Sequence, residues 1–283
     1  MNLGVTTCSR LKLLFLFTLL ATPASGQRIF VEPVSHDIVA ERLRLAVSSN
    51  SKRKEILMQE FAAAGCTQVF EQPVKGARQG NVICTVRGTG DGTILIGAHF
   101  DTANSLGVVD NWSGAALLPS LYQGLAGRKR NHTFVFVGFT DEEVGLRGSE
   151  FYVKQMNEAQ RLQMQAMVNI DCVGMTSTKV WVRRADKGLL NALSQVASSL
   201  NLPLAGVNVG EVGDTDSLAF ASKRIPVIDI HSVTQENFQM IHQGRDTPDT
   251  IRIDDYYATY KLLCLYLGFL DITLGQDLVK AKP

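Results

Sequence analysis

Apolar and polar positions along the chain follow two periods in turn. Residues 35–49 and 52–65 repeat apolar positions every three to four residues and carry charged outer faces, which predicts two amphipathic helices. Val82–Arg87 and Thr93–Ala98 read as neighbouring strands joined by the glycine-rich turn Gly88–Gly92. Gly114–Leu125 predicts an apolar helix. Thr133–Phe139 predicts a strand whose nearly continuous apolar run suits burial on both faces. Gly148–Met156 is helical, and Ala166–Ile170 and Val180–Val182 are strands. Lys187–Leu200 is an amphipathic helix ending near Pro203, Pro226–Ile230 a buried strand, and Asp254–Leu270 a long closing helix. Asp254 and Asp255 sit at the positive end of that last helix. Alternating helices and strands, with no internal repeat and no low-complexity linker, predict a three-layer α/β domain.

The apolar runs end on groups that can do chemistry. His99 follows Thr93–Ala98, the trio Asp141, Glu142 and Glu143 follows Thr133–Phe139, and Asp171 follows Ala166–Ile170. In open α/β sheets ligands bind beyond the carboxyl ends of the strands. Asp110 precedes the apolar helix from Gly114, and His242 lies in a late loop before Asp246. Each has a plain reading alone: a strand-end histidine, a helix cap with Ser113, an acidic first turn, a strand terminus, a loop histidine paired with Asp246. Together, the five ligands His99, Asp110, Glu143, Asp171 and His242 offer only oxygen and imidazole nitrogen, which suits zinc or a similar divalent ion. Of two adjacent glutamates after one strand, one can bind metal while the free one moves a proton. Asp101, two residues after His99, can fix the tautomer of that imidazole.

Composition adds compartment and excludes partners. Arg10 and Lys12 precede the apolar run Leu13–Ala21, followed by Pro23, Ala24, Ser25 and Gly26. That order predicts a secretory signal peptide over 1–26, cleaved after Gly26, and a single domain over 27–283; a short signal anchor is the alternative. The mature chain is expected to have no membrane span, because no later apolar run reaches about 18 residues. A formal net charge of +1 with 19% charged residues gives no case for nucleic acid. Of five cysteines, Cys8 leaves with the signal, and Cys66, Cys84, Cys172 and Cys264 permit two disulfides in three pairings. Cys172 adjoins a ligand, so it is the one least expected in a disulfide. Two sequons, at Asn111 and Asn131, are discounted, the first more firmly because it adjoins Asp110.

The segments Ala98-His99-Phe100-Asp101-Thr102, Asp110-Asn111-Trp112-Ser113-Gly114, Asp141 through Ser149, Asn169-Ile170-Asp171, and Ile241-His242 through Asp246-Thr247 resemble the secreted dizinc aminopeptidases of the leucyl-aminopeptidase type. Order and spacing agree from about residue 80 to the C-terminus. The resemblance implies a zinc-exopeptidase fold with a central mixed, mostly parallel sheet, and two Zn2+ per chain. One zinc would be held by His99, Asp110 and Asp171, the other by Asp110, Glu143 and His242. Water between the ions would attack the first peptide carbonyl, with Glu142 as general base and acid and Asp101 supporting His99. Substrates would be peptides with a free N-terminus, and the expected enzyme is a secreted or periplasmic monomer.

The match has departures. In Gly213-Asp214-Thr215-Asp216-Ser217-Leu218, Ser217 stands where the family has histidine, and Glu211-Val212 stands where some members carry an oxyanion-stabilising tyrosine. His231 is a candidate replacement, with a structural role favoured over it. The nearest rival is a glutaminyl cyclase using one zinc, with which Asp216 is compatible; Ile241 replaces the tryptophan those enzymes favour before the last ligand. A non-catalytic binding domain is a different class, disfavoured because none of the five ligands is missing. Carboxypeptidase and dipeptidase relatives carry a lid domain for which this chain has no room.

Overall fold

The computed structural model describes residues 29–103, 105–208, 213–241 and 245–275. The expected leader, the Glu211-Val212 neighbourhood and His242 lie outside the described residues. Two helices come first, α1 (His36–Arg44) and α2 (Asn50–Ala63), each started by a serine: Ser35 accepts from the Ile38 N–H and Ser49 from the Lys52 N–H. The strands follow as β1 (Phe70–Gln72), β2 (Asn81–Val86), β3 (Thr93–His99), β4 (Thr133–Phe139), β5 (Met164–Ile170), β6 (Lys179–Val180), β7 (Ala205–Gly206) and β8 (Val227–His231). They form one sheet in the order β1-β2-β4-β3-β5-β8-β6-β7. Its centre, β4-β3-β5-β8, is parallel; β2 joins β4, and β6 joins β8, antiparallel.

Alternate residues of the central strands feed two cores, as a period of two requires. Ile94, Ile96, Phe134 and Phe136 face a large core shared with α1, α2, α3 (Ser113–Ala126), α6 (Lys187–Ser199) and α8 (Ile253–Thr273). Leu95, Val137 and Phe139 face a smaller core with Val153 of α4 (Arg147–Gln155) and Phe220 of α7 (Ser217–Ala221). The layers are therefore helix, sheet, helix. Helix α8 closes the large core through its tyrosines: the Tyr256 hydroxyl donates to the Ser113 carbonyl at 2.7 Å and that of Tyr260 to the Ser120 carbonyl at 3.2 Å.

Three readings from sequence need correction. Strands β2 and β3 are not neighbours, because β4 lies between them. The chain crosses under the start of β4: Thr89 and Gly90 donate to the Arg130 and Asn131 carbonyls, and Thr133 donates to Gly92. A Cβ on Gly88 would stand 2.2 Å from the His132 carbonyl carbon, so the crossing needs a glycine there. Second, α1 stops at Arg44, and the short elements β1, β7, α7 and α5 (Glu158–Gln163) carry too few residues to show a period. Third, the charged faces of the first two helices are not wholly outside. Arg42 and Arg53 are buried. Both persist there because each guanidinium finds acceptors, Glu60, Ser120 and Gln123 for Arg42 and main-chain carbonyls for Arg53.

A disulfide joins Cys66 to Cys84, tying the end of α2 to β2, while Cys172 and Cys264 are free and buried. Cys172 stays out of the disulfide, as its position beside Asp171 led one to expect.

Candidate metal centre

Three adjacent parallel strands, β4, β3 and β5, end side by side, and the acids and the histidine sit at those ends. His99 is the last residue of β3, Glu142 and Glu143 lie in the turn after β4, and Asp171 follows β5. Asp110 reaches the same place from an irregular helical turn, Val108–Trp112, between β3 and α3. His99 Nε2 is 3.1 Å from Asp110 Oδ1, 3.7 Å from Asp171 Oδ1 and 4.0 Å from Glu142 Oε2. His99, Asp110 and Glu143 offer ligand atoms within 4.8 Å of one another, as do His99, Glu142 and Asp171. Four of the five candidate ligands are thus brought together; His242 is outside the described residues.

The site fits a small dication. Two ligands on one tetrahedral zinc at about 2.1 Å stand roughly 3.4 Å apart, which the spacing around His99 approaches. Asp171 Oδ1 is buried and has no hydrogen-bond partner among the described residues. Burial, reinforced by Asp216, Asp171 and Asp110 and opposed by His99, pushes the Glu142 carboxyl up to about 9. Burial disfavours a charged His99, but Glu142, Asp101, Asp110 and Asp171 outweigh it and raise its pKa. The neighbouring carboxylates act in the same direction on both groups, and theirs is the charge that a cation would offset.

Supporting groups hold this arrangement, some in roles the sequence did not disclose. The Asp101 carboxylate accepts from the Glu142 N–H at 3.0 Å and the Glu143 N–H at 3.2 Å, and lies 3.5 Å from His99 Nδ1. Asp246 was legible only as a partner for His242. Its carboxylate instead accepts from the Val109 N–H at 2.6 Å and the Asp110 N–H at 3.0 Å, linking the late loop to a central ligand. Asn111 is fully buried; its carboxamide oxygen accepts from Gly114 and Cys172, and its nitrogen donates to the Ile170 carbonyl. That burial removes the first sequon as a glycosylation site. Asn111, not Ser113, supplies the acceptor at the start of α3: Ser113 Oγ donates to the Val109 carbonyl and accepts from Val173.

Ser217, in the place of the family's histidine, donates to Asp229 Oδ2 at 2.8 Å while Thr215 donates to Oδ1 at 2.9 Å. Asp216 is buried beside them, and burial pushes its carboxyl up to about 7. His231 ends β8. Its Nδ1 accepts from the Val233 N–H, which puts the proton on Nε2, and burial lowers its pKa to about 4, so the ring is neutral.

The pattern of peptidase family M28 matches residues 81–267. The chain belongs to this family. Leucine aminopeptidase 2 of Trichophyton rubrum is 34% identical over 97 residues, which cover 33% of this chain and 19% of that protein. Leupeptin-inactivating enzyme 1 of Streptomyces exfoliatus is 28% identical over 170 residues, 58% of this chain and 39% of that one. These matches therefore span well under half the length of the two relatives. Among solved structures, the LapA aminopeptidase of Legionella pneumophila superposes with a TM-score of 0.67 at 18% identity, covering 88% of this chain and 78% of that one. The glutaminyl cyclase of Porphyromonas gingivalis superposes with a TM-score of 0.65 at 20% identity, covering 82% and 95%. At such identities the likeness is one of fold.

Proposed function

We propose that this M28 member is an exported zinc aminopeptidase with one catalytic domain over 27–283. The observation that carries the reading is the convergence of His99, Asp110, Glu143 and Asp171 on one point with Glu142 beside them. His99, Asp110 and Asp171 would hold one zinc and Asp110, Glu143 and His242 a second, with Asp110 shared. Zinc bound there supplies Lewis-acid polarisation of a carbonyl and acidifies water.

The chain's own residues do the rest. Glu142 takes a proton as water adds to the carbonyl carbon of the first peptide bond. It returns that proton to the nitrogen as the carbon–nitrogen bond breaks, so the products are a free amino acid and a peptide shortened by one residue. Asp101 holds the Glu142 and Glu143 main chain, keeping the proton carrier and its neighbour in fixed register. The surplus of carboxylates favours a substrate whose α-amine is charged. Val109, Cys172, Met175 and Val233 form an apolar cluster that includes the chain neighbours of Asp110 and Asp171, which with the name of the Trichophyton rubrum relative supports an apolar first residue. The Cys66–Cys84 disulfide supports export, and no helix among the described residues is long and apolar enough to cross a membrane.

A second reading, glutaminyl cyclisation, is favoured by the buried acid Asp216, whose charge acts on Glu142. A panel of amino-acid aryl amides, amino-blocked peptides and amino-terminal Gln peptides, with and without zinc, separates the two. Zinc-dependent arylamine release from free-amine substrates alone is expected. Ring formation from the Gln peptide without released amino acid would select the cyclase and refute the peptidase.

A further inference from the structure

Arg53 lies on α2, before the span 81–267 that carries the family pattern. It is fully buried. Its four hydrogen bonds all go to main-chain carbonyls: Nε to Val47 at 2.6 Å, Nη1 to Phe100 at 2.8 Å, and Nη2 to Gly107 at 2.7 Å and to Leu106. The guanidinium also stands over the Trp112 ring, 5.6 Å from its centroid.

Those carbonyls occupy particular places. Phe100 stands immediately after His99, and Leu106 and Gly107 stand immediately before the turn that carries Asp110. One rigid, forked cation therefore grips both ends of the loop between two candidate ligands. A buried guanidinium is tolerated only when its donors are satisfied and its charge is balanced. Burial lowers its pKa to about 10, which leaves it charged at neutral pH, and Asp101, Asp246, Asp110 and Glu143 favour the charge from a distance. Arg42 is the internal contrast. It is also buried, but it spends its donors on the Glu60, Ser120 and Gln123 side chains, away from the loop.

We propose that Arg53 is a positioning residue of the metal centre, setting the separation of His99 and Asp110 by holding the two ends of the loop that joins them. The inference rests on the metal-centre reading above. Its consequence is that part of the zinc affinity is stored in the N-terminal helices.

The test is zinc affinity of the full chain, measured by competition with a chromophoric chelator on protein shown by circular dichroism to be folded. Arg53→Lys keeps the charge but cannot reach diverging carbonyls with one ammonium. It should bind zinc at least about tenfold more weakly, the loss seen when groups that orient metal ligands are removed. Arg42→Lys should lose thermal stability but keep zinc affinity within about twofold of the wild type. Arg53→Gln, which buries no charge, serves if the lysine variant does not fold. Removing a positive charge alone would strengthen cation binding, so weakening in this variant reports geometry. Wild-type zinc affinity in folded Arg53→Lys or Arg53→Gln overturns the proposal, as does equal weakening in Arg42→Lys. A wild type that takes up no zinc refutes the function reading and this inference together, a result distinct from either of those.

Discussion

Replacing Asp246 by asparagine should loosen the centre without replacing a candidate ligand. The carboxylate is almost fully buried and gives one oxygen to the Val109 N–H at 2.6 Å and the other to the Asp110 N–H at 3.0 Å. Asparagine keeps one acceptor and turns an NH2 group toward the other donor. One buried N–H is then orphaned, at about 1–3 kcal/mol. The surviving bond also loses its charge assistance, about 1 kcal/mol more. The expected loss is thus about 2–4 kcal/mol against a total stability of order 5–15 kcal/mol for a domain. Urea unfolding followed by circular dichroism measures it as a lower midpoint at unchanged slope. Zinc gives the second reading: at about 100 times its Kd it should add ~2.7 kcal/mol to the wild type, and less to Asp246→Asn, because the Asp110 main chain is no longer held. An unchanged midpoint together with an unchanged zinc increment would show that the carboxylate does not hold the turn.

Three further outcomes follow from particular contacts. Glu142→Gln, fully loaded with zinc, should turn over aryl amides about 10²–10⁴-fold more slowly at an unchanged metal content; unchanged turnover removes Glu142 from proton transfer. His132, whose Nδ1 lies 3.1 Å from the Asp271 carbonyl and 3.4 Å from its carboxylate, is opposed by burial but raised on balance by Asp271 and Gln165. A raised folded-state pKa stabilises fully below the unfolded value near 6.5 and is lost as pH rises through the folded value. The stability gap between wild type and His132→Gln, taken from urea midpoints, should therefore narrow from pH 5.5 to pH 8.5, and a widening gap would contradict the pairing. Replacing both Cys66 and Cys84 by serine opens a loop with a sequence separation of 18. It should cost about 3 kcal/mol in urea unfolding, and an unaltered midpoint would leave the bridge without a role in stability.

The contrast between Asp171 and Asp246 shows where sequence reading reaches its end. Asp171 was legible because it closes an apolar strand, and parallel strands of one sheet deliver their carboxyl ends to one edge. His99, Glu142 and Glu143 were legible for the same reason, and Asp110 because it precedes a helix almost wholly buried on the sheet. Hydrophobic period reports which face of a strand is inside and says nothing of its partner, so the insertion of β4 between β2 and β3 was out of reach. The structural roles of Asp246, Asn111 and Arg53 were illegible in a different way. Each satisfies main-chain groups far away in sequence, 136 residues for Asp246 to Asp110 and 54 for Arg53 to Gly107. Such bonds leave no spacing in the chain, because any polar side chain of the right length can make them once the fold has formed. Arg53 even read as the opposite of what it is, a charged outer position on an amphipathic helix, since periodicity treats every guanidinium as solvated. The metal ligands thus declare themselves by where strands end, while the groups that hold them in register depend on the tertiary fold. A sequence comparison confined to residues 81–267 includes every candidate ligand and omits Arg53. Variation in zinc affinity among chains with the same ligands should accordingly be sought in the helices that precede that span.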